Sequence, residues 1–286
     1  MGSTIDRAVS VAGSSLDFSL KKWETLVWPL AKIYAVEFLL IMVVGALAAG
    51  LAFMAIGGAA AELLDPVIAI VLIFIMISLL VIPLAIFSRA VSMVSYRAID
   101  SVDRGGKGDV PIIAGAREML VPVAVYSLVM FGAFVGALVI LGGLFAIALF
   151  SFPLAGIFLL PPFFLLFMAF ALVISFLFQF APLEIALKGA GGTEALRKSA
   201  SLVRANLGLT IVFDIIVFFI SIAVGVVFSL VSQVLSMLFA VAAIVPGLFI
   251  VLMAVMMVLF FVQSIATGIL IVPLMYRFWK SLGGKK

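Results

Sequence analysis

The stretch GGTEALRKSASLVRANLG, residues 191–208, sits between an apolar run ending FQFAPLEIALKGA and another beginning LTIVFDIIVFF. It holds three of the chain's 17 basic residues within eight positions. Thr193, Glu194 and Ala195 read as a helix N-cap followed by an acid in the first turn. From there Leu196, Ala200, Val203 and Leu207 recur on one face at helical spacing. Arg197, Ser201 and Arg204 fall on another face, with Lys198 at the boundary. A helix of this kind is expected to lie in the headgroup layer of a bilayer, apolar side down and cations near anionic phosphates. It then turns at Ala205-Asn206 into an apolar run long enough to cross the membrane.

Composition points the same way. The chain is 67% hydrophobic and only 10% charged, with a mean hydropathy of +1.47. Soluble domains average roughly 45–50% apolar and about 25% charged residues, so lipid is the solvent for most of this surface. Cysteine and histidine are both absent, which removes disulfides, thiol chemistry and the Cys/His zinc and haem sites. No cofactor and no metal are expected. Asn206 is the one asparagine and there are three glutamines, a shortage of amides that suits a membrane span as well as a thermophile. The net charge of +4 reads as topological, because no base-stacking motif or soluble basic domain accompanies it. Nucleic acid is not expected as a partner.

Six stretches are long and apolar enough to span: 30–55, 66–89, 122–149, 153–180, 207–235 and 246–275. The last two are divided by Pro246-Gly247. All 17 Lys and Arg fall in or beside the N-terminal segment, the segments after spans 2 and 4, or the C-terminal tail. The loop after span 1 carries Glu62 and Asp65 instead. Basic residues stay on the cytoplasmic side, so both termini are expected there, in the cell membrane.

The plan of residues 191–208 recurs. SLDFSLKKWETLVWP places Leu16, Leu20, Trp23 and Val27 on one face before Pro29 and span 1. DVPIIAGAREMLVP runs from a cap at Asp109 to Pro122 and span 3. The exits IPLAIF (82–87), APLEIA (181–186) and VPLMYR (272–277) also align. The expected fold is all-α: a polytopic membrane protein with six transmembrane helices in three hairpin units, each preceded by an amphipathic in-plane helix on the cytoplasmic side. The 286 residues form a single membrane domain with internal units at about 14–103, 109–190 and 193–284. Lys21, Lys22, Trp23, Arg197, Lys198 and Arg204 are the expected lipid-headgroup contacts.

EIALKGAGGTEALRKSASLVRANLG and the Gly-rich SYRAIDSVDRGGKGDVPIIAGARE resemble the membrane domain attached to some bacterial glycerophosphodiester phosphodiesterases and its stand-alone archaeal and bacterial relatives. The resemblance implies fold and membrane location. It implies no phosphodiesterase activity, since that chemistry belongs to a separate soluble domain, and it carries over no catalytic residue.

Two acids fall inside spans, where ionisable groups point to function. Glu37 lies eight residues past Pro29 and Asp214 eight past Asn206, equivalent positions in units 1 and 3 where unit 2 has Met130. Each sits about 12 Å along its helix. They either face each other and bind a cation or proton, or each pairs with a cation such as Lys32, Arg89 or Arg204 on another helix or reaches toward the interface. Pro161-Pro162 is read as a helix break in span 4 that frees backbone carbonyls. Glu184 and Lys188 make a boundary ion pair at i,i+4. The span centres lack the polar rings of a channel, and no nucleophile–base set for intramembrane hydrolysis is present. The expectation is a non-enzymatic membrane protein acting through membrane lipids, a lipophilic ligand, or a protein partner or second copy. The alternative is a small transporter or ion-coupled carrier using Glu37 and Asp214.

Overall fold

The computed structural model describes all residues except 1, 61–66, 69, 70, 72–74, 76–78, 80, 152, 243–245, 285 and 286. Among the described residues every regular element is helical: α1 (Gly2–Lys21), α2 (Trp23–Ala60), α3 (Ile82–Asp103), α4 (Ile112–Ser151), α5 (Pro153–Phe178), α6 (Ala181–Lys188), α7 (Gly192–Ala205), α8 (Leu207–Ala242) and α9 (Pro246–Trp279), closed by a π-helical turn at Lys280–Gly284. This follows from composition, because a helix satisfies its own backbone groups where no water can. Among the described residues, five helical stretches are long and apolar enough to cross a membrane: Trp23–Leu47, Ile112–Ser151, Phe158–Lys188, Leu207–Leu238 and Val251–Gly283. Most of the expected second span, together with Glu62 and Asp65, lies outside the described residues.

Burial is inverted relative to a water-soluble protein. In four of the five stretches only 6% of the most apolar window is covered by protein, and in the first 11%. The apolar surface therefore faces outward, and a bilayer is the solvent that suits it. The well-packed core lies instead beside the charged segments. One compact unit comprises Met1–Glu118 and Gly208–Lys286; α2, α3 and α9 pack together in it, and α1 lies on α2 and α9. Leu26, Leu30, Ile33, Val94, Ile99 and Leu274 are among its fully covered side chains, and Phe213 stacks flat on Phe278 with centroids 3.7 Å apart. The other unit, Met119–Leu207, packs α7 against α5 and α6, burying Phe180, Leu183, Ile185, Ala195 and Val203.

Two of the three expected in-plane helices end differently from the prediction. The chain breaks at Lys22 and not at Pro29, which lies inside α2. The segment before Pro122 is continuous with the following span as the single 40-residue helix α4. A proline removes one backbone bond but keeps a helix-compatible φ, and packing on both sides holds the helix together. Leu26 and Leu30 flank Pro29, and Met119 and Val123 flank Pro122; all four are buried. Pro161 and Pro162 likewise lie inside α5, so they do not interrupt it.

The third segment is a separate helix, α7, which turns at Asn206 into α8. Its N-cap is Gly191 in place of the expected Thr193. Its apolar side packs on α5 and α6. Ser199 explains the packing: its hydroxyl donates to the Leu177 carbonyl at 2.9 Å and accepts from the Phe180 amide at 3.1 Å. Those backbone groups come from the turn between α5 and α6, where helical bonding lapses.

Close approach makes Gly192 a sensitive position. A Cβ there would lie 2.5 Å from the Pro122 carbonyl oxygen and 2.7 Å from the Tyr126 amide nitrogen, both backbone atoms of α4 that cannot swing aside. Gly192→Ala is expected to destabilise by about 1–3 kcal/mol, read as a lower melting temperature in detergent. Gly13→Ala, with nothing within 4 Å of the added carbon, should leave it unchanged or raised.

Candidate functional site

A cavity of about 520 Å³ opens between α2, α3 and α9. Two of the five candidate spans, Trp23–Leu47 and Val251–Gly283, form most of its wall. Its polar groups are Tyr34 and Glu37 from α2, Ser92 from α3, and Gln263, Ser264 and Thr267 from α9. Phe38, Ile41, Phe260 and Ile271 supply apolar wall. Glu37 accepts a hydrogen bond from the Ser92 side chain, and the charge of Arg89, one turn earlier on α3, acts on it. Lys32 pairs elsewhere, with Asp109 at 3.1 Å. Gly268 lets Tyr34 lie directly on α9, since a Cβ there would run into the tyrosine ring and hydroxyl. Phe38 leans on Phe261 with centroids 5.8 Å apart.

Asp214 does not line this cavity. It sits part-buried on α8, so the cavity collects one intramembrane acid and not the expected pair. Pro161 and Pro162 are exposed on α5. Lys21 is exposed and paired with Asp17 at 2.9 Å, Lys22 is exposed at the turn, and Trp23 is 54% exposed. Arg197, Lys198 and Arg204 all point outward from α7, Lys198 holding Glu194 at 2.7 Å. Glu184 is buried beside Lys188 at 3.4 Å, as the spacing predicts.

An ionic cluster clamps the two helices that carry most of the cavity's hydroxyl and amide groups. Asp103, at the end of α3, takes Lys280 at 2.6 Å and Arg277 at 3.0 Å. The Tyr276 hydroxyl donates to Asp100 at 2.8 Å, and Asp100 also pairs with Arg104 at 2.8 Å. Arg277 reaches α1 as well, donating to the Ser14 carbonyl at 3.1 Å and lying 4.2 Å over the Phe18 ring. Arg7 adds a bond to the Ser281 carbonyl at 3.0 Å. Burial pushes the Asp103 carboxyl up, but hydrogen bonds and charge from Lys280 and Arg277 outweigh it and hold the group below the usual carboxylate range.

Gln263 and the serines are sparse interruptions of apolar runs in the sequence. A signal was present: Gln263, Ser264 and Thr267 share one helical face within five residues. The Asp103 cluster was missed altogether, although Asp100/Asp103 and Tyr276/Lys280 each stand one turn apart.

Residues 112–282 match the family model described as Domain of unknown function (DUF7847). The match covers more than half of the chain. The chain belongs to the DUF7847 family. The matched DUF7847 region includes the α9 wall of the cavity and the cations Arg277 and Lys280, whereas Glu37, Ser92 and Asp103 precede it. No curated protein and no solved structure matches the chain.

Because the folded pKa of Asp103 is depressed, its contribution to stability is present above the unfolded value of about 3.9. It disappears as pH falls through the lower folded value. Asp103→Asn is therefore expected to lower the melting temperature at pH 7 and to flatten its fall on acidification below about pH 4. Melting curves of the two proteins across pH 3–7 measure both effects.

Proposed function

We propose that this chain is a six-span membrane protein, with both termini cytoplasmic, that holds a lipophilic small molecule beside Glu37 and does no bond-making chemistry on it. The cavity carries this reading: it has the volume of a ligand site, generally about 300–1,000 Å³, and combines apolar wall with a few convergent polar groups. Its ionisable side chains, Tyr34 and Glu37, do not make a nucleophile–base set. The one-sided distribution of Lys and Arg supports the orientation. Outward cations on α7 and the exposed Trp23 beside Lys21 and Lys22 support contact with anionic headgroups. The similar exits and the Gly-rich links at 104–108 and 188–192 support the three-unit plan and the resemblance to the phosphodiesterase-associated membrane domain. The carrier alternative has less support, because Asp214 stands outside the cavity.

Native mass spectrometry of protein extracted into mild detergent is expected to show one retained lipophile per chain. Thr267→Phe, which puts a bulky ring into the cavity wall, is expected to lose it while melting normally; an adduct that persists in this variant would sink the reading. The cysteine-free background allows the orientation to be tested separately. A cysteine at position 107 should react with an impermeant maleimide from the cytoplasmic side alone, and one at position 150 from the opposite side alone.

A further inference from the structure

We propose that the molecule held beside Glu37 is a lipophilic organic cation, an amine or quaternary onium carried on an apolar body; this rests on the reading of the cavity as a ligand site. Among the residues lining the cavity, Glu37 carries the formal negative charge and none carries a positive one. Arg89 acts on Glu37 from nearby but is exposed and stands outside the lining. It moderates the local field without supplying an anion site inside. Ser92 holds the carboxylate by one hydrogen bond, leaving other lone pairs of its two oxygens for a guest. The side chains of Tyr34, Phe38 and Phe260 line the same space, and aromatic faces within about 6 Å attract a cation that has shed its water.

Other guests fit less well. A bare inorganic cation takes about six or more oxygen ligands at close range, yet the cavity is about 520 Å³ against the roughly 30 Å³ share of one water. Such an ion would leave the apolar wall without a partner. An anion would be repelled by Glu37, and a neutral lipophile would strip water from the carboxylate without compensation. A cationic head on an apolar body answers both halves of the lining at once.

The test measures binding of tetraphenylphosphonium and of neutral triphenylphosphine oxide, which keeps three of the phenyl groups, by equilibrium dialysis in an uncharged maltoside detergent. The wild-type protein is expected to bind the cation at least about tenfold more tightly than the neutral compound. Glu37→Gln should abolish that preference, and Thr267→Phe should abolish binding of both. Phe260→Leu, on an exposed position, should weaken the cation more than the neutral compound and provides a second variant should Glu37→Gln fail to fold. Equal binding of the two compounds by the wild type would overturn the cation proposal and leave the cavity reading standing. Binding of neither, or binding unchanged by Thr267→Phe, would overturn both.

Discussion

One carboxylate holds three helices in register. Asp103 is the acceptor toward which Lys280 and Arg277 converge, and Arg277 in turn reaches the α1 backbone and the Phe18 ring. A lone carboxylate at 14% side-chain exposure would be costly to bury; with two cations on it, it fixes how far α9 lies from α3. The cavity depends on that spacing, because Ser92 and the Gln263–Thr267 face belong to those same two helices. Farther from the cluster the helices have little protein cover. In the unit formed by Met1–Glu118 and Gly208–Lys286, the ionic collar and the side chains packed beside it, rather than an apolar interior of the spans, set the packing of the helices.

The all-helical class was legible because it follows from hydropathy alone, and five long apolar stretches could be outlined for the same reason. The helix α7 was legible because its cations and apolar residues separate cleanly around one turn. Pro29 and Pro122 look like helix ends in the sequence, but a proline flanked by the buried Leu26 and Leu30 stays inside a helix that packing holds together. No local pattern announces that Leu177, Phe180 and Ser199 will meet, since the serine answers backbone groups left open some twenty residues earlier. The cavity was illegible for a related reason. Glu37, Ser92 and Gln263 lie on three helices far apart in sequence, and each alone looks like an isolated polar residue in a greasy run.

The three segments expected in the membrane plane share a packing habit. Residues 112–118 at the start of α4 touch α3 locally, where Gly115 meets Val94 and Glu118 pairs with Arg97 at 2.7 Å. α7 lies on α5 and α6, and α1 lies on α9. In the first two cases a segment folds back on the helix that precedes it, and in the third α1 takes the corresponding place on α9. Left-handed glycines follow α3, α6 and α9, at Gly105, Gly189 and Gly283, and each is the type of residue that lets a chain leave a helix at once in a new direction.

The seating of α1 on α9 also constrains the order in which the molecule can be assembled. Ser14 and Arg277 are 263 residues apart, and at a synthesis rate of about 5–20 residues per second the first waits roughly 13–50 s for the second. Throughout that interval the face of α1 bearing Ala8, Ala12 and Phe18, buried in the finished protein, has no α9 to cover it. That face of α1 is completed late, when Arg277 and its neighbours arrive to make the clasp.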